Sequence, residues 1–128
     1  MRVAETAHPL SGQILLLAGA KASVTLQHLS KLLDRAHQHV RDQQMVYDRQ
    51  FERIDDGDGL AYYLVDAGHW DEVGRKLGLS TRESDAIRRA HTAQFRRAGR
   101  RLDRLDEFET ALEIREVVVV NAPAELSR

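Results

Sequence analysis

Cysteine is absent from this 128-residue chain. That removes disulfides, thiolate chemistry and cysteine-based zinc sites, and it fits a reducing cytoplasm. Aromatic residues are few, with three Phe, three Tyr and one Trp. They are too sparse for an aromatic ligand cage, and Tyr62, Tyr63 and Trp70 are expected to close a core instead. No long hydrophobic run occurs: the longest, Ile14 to Ala20, has seven residues, whereas a membrane span needs about 20. Ala18-Gly19-Ala20 has the form of a cleavage site, but Glu5, His8, Pro9 and Gln13 interrupt what a secretory signal would need before it. Also missing are a Walker loop, a Gly-x-Gly-x-x-Gly run and any spacing that sets Ser, His and Asp in a triad. No enzyme activity and no cofactor is expected.

Charge of one sign is not in excess either: 19 basic and 20 acidic residues leave a net −1. This excludes a globally basic nucleic-acid coat, but the charges are unevenly placed. Residues 1–74 carry 7 Lys/Arg and 11 Asp/Glu, residues 75–104 carry 10 and 3, and residues 105–128 carry 2 and 6. A strongly basic middle therefore lies between two acidic flanks.

What the chain does have is an internal echo at a spacing of 55. Ala20-Lys21-Ala22-Ser23-Val24-Thr25 falls on Arg75-Lys76-Leu77-Gly78-Leu79-Ser80, and Tyr62 to Ala67 falls on Val117 to Ala122. Identities are sparse, and the argument rests on element types recurring in order. Residues 11–66 and 66–121 are read as pseudo-repeats within one domain, after a loose arm at 1–10 and before a frayed tail at 122–128.

Each repeat is expected to run short helix, turn, long helix, strand. Ser11 and Asp66 are the matching N-caps, with helices from Gly12 to about Lys21 and from Ala67 to Leu77. Ser80-Thr81-Arg82-Glu83 is a capping box opening the second long helix, and Thr25 holds the matching position in the first. Apolar stripes Leu29, Leu33, Ala36, Val40, Tyr47, Phe51 and Ile54, and Ile87, His91, Phe95, Ala98, Leu102, Leu105 and Leu112, predict the long helices, packed antiparallel in the monomer or across a dimer. Gly99 is a possible kink. Asp55-Asp56-Gly57-Asp58-Gly59 is a turn; read as a calcium loop from Asp56 it would place Ala67 where a glutamate is needed. Strands at Leu60–Val65 and Arg115–Val120 should pair antiparallel, with the helices over one face, and Phe51–Ile54 is a candidate third strand. The fold class is mainly α with a small antiparallel β element.

Trp70 to Ile87 resembles a helix-turn-helix motif. Val73 and Leu77 are the inward positions, Gly74 the close approach, Gly78 the turn, and Leu79 and Ile87 the inward positions beyond it; Ser84 stands where a larger apolar residue is usual. The resemblance implies DNA binding by the start of the second helix. Thr81, Arg82, Asp85, Arg88 and Arg89 would then be the reading positions, with Arg96, Arg97, Arg100 and Arg101 continuing along the backbone. The first copy, with Gln27, Ser30, Lys31 and Arg35, is the poorer reader. The same Trp70, Val73, Leu77-Gly78-Leu79-Ser80 and Ile87 also resemble death-fold interaction domains, which implies protein binding.

Two functions are therefore expected of such a chain. One is a DNA-binding regulator acting through Thr81, Arg82, Arg88, Arg89, Arg96 and Arg97. The other is a non-catalytic interaction module, a homodimer joined through the long helices or the Val117–Val120 edge, which a charge at Val118 or Leu102 would break. No membrane partner is expected. A shift of 54, a one-residue slip within a helix, superposes Arg35-Ala36-His37 on Arg89-Ala90-His91; His37 and His91 are read as packing-seam histidines, and no metal is expected.

Overall fold

In a computed structural model, residues 8–122 are described. They form helices α1 (Gly12–Ala22), α2 (Leu26–Asp42) and α3 (Gln44–Gln50), then strands β1 (Glu52–Asp55) and β2 (Leu60–Asp66). Helices α4 (His69–Leu77), α5 (Thr81–Arg101) and α6 (Leu105–Leu112) follow, and strand β3 (Arg115–Asn121) closes the order. The fold is mainly helical, with one antiparallel sheet of order β1-β2-β3. No helix among the described residues is long and apolar enough to cross a membrane.

The spacing of 55 is visible in the geometry. Tyr63 stands opposite Val118, and the pairs fan out evenly from them to Leu60–Asn121 and Asp66–Arg115. A residue thus faces its own repeat counterpart at the centre of the β2–β3 ladder, as a local twofold requires. Both short helices end in a left-handed residue, Ser23 (φ 60°) and Gly78 (φ 73°). In each, the second residue of the turn donates back to a glycine carbonyl: Val24 N to Gly19 O and Leu79 N to Gly74 O, both at 2.8 Å. This closes the helix C-terminus and turns the chain into the next helix. The next helices are capped alike, by Thr25 onto His28 N and by Ser80 in a complete capping box with Glu83.

Elsewhere the halves diverge from the simple plan. Neither long helix runs the full length of its stripe. The first stops at Asp42 and resumes as α3, and Glu52–Asp55 leaves the helix to become β1. The second passes through Gly99 and breaks after Arg101, where Asp103 turns left-handed at φ 58°. Asp66 ends β2 and caps nothing; α4 starts at His69 behind Gly68. Its free amides are met instead from β3, whose Glu116 accepts from Gly68 N and Trp70 N, each at 3.0 Å. A carboxylate at a helix N-terminus answers both the unpaired N–H groups and the dipole. Nor are α2 and α5 the expected side-by-side antiparallel pair, because their N-terminal turns meet: His28 Nε2 lies 2.7 Å from Glu83 Oε2.

The sheet is covered on both faces, not one. Tyr62 faces α5 through Phe95 (ring centroids 5.5 Å), and Tyr63 faces α3 through Tyr47 (5.5 Å). Ala61–Val65 and Val117–Val120 are all buried. The outer edge of β3 is closed by side chains: Trp70 Nε1 donates to Val117 O at 3.0 Å, and Val119 N donates to His91 Nδ1 at 2.9 Å. The two rings pack together with centroids 4.5 Å apart, tilted by 37°. That edge is therefore not free for a partner strand, and a charge at Val118 would break the core, not an interface. Leu102 likewise packs against the core. Of the arm expected at 1–10, His8 and Leu10 are buried, with His8 N donating to Asp34 Oδ1 at 3.1 Å; its earlier part, and the tail beyond Ala122, lie outside the described residues.

Candidate functional site

Helix α5 positions every predicted site residue, so its surroundings decide what they can do. Its packed side is broad: Ser84, Ala86, Ile87, Ala90, His91, Gln94, Phe95, Ala98 and Gly99 are all buried. It touches α1, α2, α4, α6 and β3. On a helix of 3.6 residues per turn, this leaves an exposed stripe through Arg82, Arg89, Arg96 and Arg100, which Arg97 and Arg101 widen toward the C-terminal end. Thr81 is exposed at its start.

Most of the arginines are committed to carboxylates. Arg88 and Arg89 both bind Asp85, the latter with Nε at 2.7 Å from Oδ2. Arg96 Nε meets Glu109 of α6 at 2.9 Å, and Arg97 reaches the Ser11 cap of α1 at 3.4 Å. Arg101 donates to Asp56 Oδ2 at 3.0 Å. Arg82 and Arg100 have no carboxylate partner among the described residues. The basic middle of the chain is thus wired to its flanks through Arg96 and Arg101, while Arg88 and Arg89 share an acidic residue of the middle itself.

Asp56 was expected only to mark a turn. It is buried, and its oxygens accept from Asp58 N (2.7 Å), Leu60 N (3.1 Å), the Tyr62 hydroxyl (3.0 Å) and Arg101. Burial and this carboxylate raise the Tyr62 hydroxyl to about 12, so it stays a neutral donor. Arg101 therefore ties α5 to the β1–β2 turn.

The inward positions expected from the resemblance are packed against the core. Val73, Gly74 and Ile87 are buried, and Leu77 and Leu79 are half-buried against the core. Ser84 is small for a reason: a Cβ on Gly74 would sit 1.9 Å from its Oγ, so α4 and α5 approach through two small residues. Projection is where the likeness ends. Over the α5 stripe lies a groove of about 480 Å³, walled by Leu17, Ala18 and Lys21 of α1 and by Leu112 to Glu116. Arg88, Arg89, Thr92, Ala93 and Arg96 form its floor. Its lips carry apolar side chains that the sequence assigned to no site: Leu17 is 57% exposed and Ile114 73%.

The histidines are structural. His37 and His91 are both buried, and burial lowers both, His91 to about 3. No group of three or more metal-ligating side chains occurs among the described residues.

A family model described as a domain of unknown function (DUF8048) matches residues 8–122. No curated protein and no solved structure matches the chain.

Proposed function

We propose that this chain, which by that match belongs to the DUF8048 family, is a non-catalytic protein-interaction module that docks its partner in the groove over α5. The observation that carries this reading is the exposure of Leu17 and Ile114 around a concave surface whose charged floor is already paired. Clustered exposed aliphatic groups rimmed by polar ones are what a partner surface covers. A nucleic-acid duplex wants the opposite: a projecting helix and uncompensated positive charge. Here α5 lies at the bottom of a groove, and Asp85 and Glu109 pair with three of its arginines, leaving one positive charge of the three uncompensated.

DNA binding is the second reading, favoured by the one exposed stripe on which Arg82 and Arg100 remain without carboxylate partners. Fluorescence anisotropy with random duplex DNA at two salt concentrations separates the two, comparing wild type with Arg88→Glu/Arg89→Glu. The docking reading expects no salt-sensitive binding by the folded protein. Salt-sensitive binding that the double variant loses would overturn it and install the nucleic-acid reading.

A further inference from the structure

We infer that the occupant of the groove is a second copy of this chain, packed about a twofold axis; the inference rests on the docking reading above. The two walls of the groove are complementary to each other. The α1 wall presents Leu17 and Lys21, and the opposite wall presents Glu113 and Ile114. Lys21 and Glu113 are exposed, and neither has an ion-pair partner among the described residues, although most arginines nearby do.

A twofold axis brings residue i of one copy to residue j of the other and j to i. Applied across this groove, it sets Leu17 against Ile114 and Lys21 against Glu113, twice over. Each apolar lip is then covered by the other, and each unpaired charge meets its opposite. A strongly acidic or basic foreign partner finds no such match, because the groove holds charges of both signs and the floor arginines already share Asp85 and Glu109. The β3 edge and the Val117–Val120 face offer no competing interface, being closed and buried.

Sedimentation velocity over a range of micromolar concentrations tests this on the full chain. The wild type is expected to dimerise, and Leu17→Glu and Ile114→Glu each to give monomers. Their circular dichroism and melting should be unchanged, since both side chains are exposed. The charge reversals Lys21→Glu and Glu113→Lys should each weaken the dimer by about tenfold, and the double reversal should recover most of that loss. A wild type that stays monomeric overturns the second-copy assignment while leaving a foreign protein as the occupant. A dimer indifferent to Leu17→Glu and Ile114→Glu, or a double reversal no better than the singles, overturns it too. Salt-sensitive DNA binding removes the docking reading itself, so the two failures are distinguishable.

Discussion

His28 and Glu83 occupy the same place in the two halves, 55 residues apart, and their side chains bond to each other at 2.7 Å. Tyr63 and Val118, also counterparts, face each other in the sheet. The local twofold thus passes through both a helix seam and a strand ladder, yet Glu83 does more than its counterpart. It also accepts from Ser80 N at 2.8 Å, and the Ser80 bond followed by His28 holds its carboxyl below the usual carboxylate range. Glu83→Ala should therefore cost about 1 kcal/mol through the lost capping box. His28→Ala should cost less, because a half-exposed pair is screened. Urea denaturation of the two variants measures both, and a larger loss for His28→Ala would mean that the seam, not the cap, dominates.

Acid should unfold this protein through its histidines. His91 is buried against the Trp70 ring, and its Nδ1 accepts from the Val119 amide. Desolvation, and then the nearby His37, His8 and His69, lower it from 6.5 to about 3. Between those values the unfolded chain holds a proton at this position and the folded one does not. Stability contributed here is therefore complete above about pH 6.5 and lost as pH falls, by about 1.4 kcal/mol per unit. His8, His37 and His69, also lowered chiefly by burial, act in the same direction. His91→Gln keeps an acceptor for Val119 but cannot titrate. Its stability should fall less steeply with acid than the wild type's in chemical denaturation followed from neutral pH downward. Equal slopes would show that His91 is not the group responsible.

Asp56 and Arg101 make a different kind of bond from the surface pairs around them. The carboxylate is buried and serves four donors, while the guanidinium is partly in solvent. Asp56→Ala leaves Tyr62 and two turn amides without their acceptor and should cost about 3 kcal/mol. Arg101→Ala leaves a carboxylate that still has three donors, and about 1 kcal/mol is expected. The order of the two losses in thermal or urea unfolding checks the assignment of Arg101 to the fold. If Arg101→Ala were silent in stability, its guanidinium would be free for a ligand after all.

How far such features were legible follows from whether they are local. The capping box at Ser80, the turn at Gly78 and the two long strands are written in neighbouring residues, and the structure holds all of them. The break at Gln43 is not, since the apolar spacing runs on through Val40 and Tyr47 with no glycine or proline to mark it. The site suffers most. Arg96 and Arg97 read as a free basic face because Glu109 and Ser11, which engage them, are 13 and 86 residues away. Leu16 and Leu17 carry no site signal for a different reason: an apolar run does not say which of its members the fold leaves outside.

The close approach of α4 and α5 offers a test of the turn that both halves share. Gly74 is buried, and a methyl group on it would lie 1.9 Å from Ser84 Oγ and 3.1 Å from Ser84 Cβ. The first contact is impossible as it stands, and the second is tight but can be eased by a small shift. Gly74→Ala alone should therefore force the helices apart and cost about 2 kcal/mol, in the range of overpacked cores. Ser84→Ala removes the oxygen that makes the worst contact. In the double variant the remaining strain is that of the Cβ contact, and the alanine at 74 also gains helix propensity over glycine by up to about 1 kcal/mol. The double variant should then recover most of the loss, whereas the effects would simply add if the two residues did not touch. A double-mutant cycle in urea gives the coupling directly. Its absence would mean that Gly74 and Ser84 do not set the separation of α4 and α5.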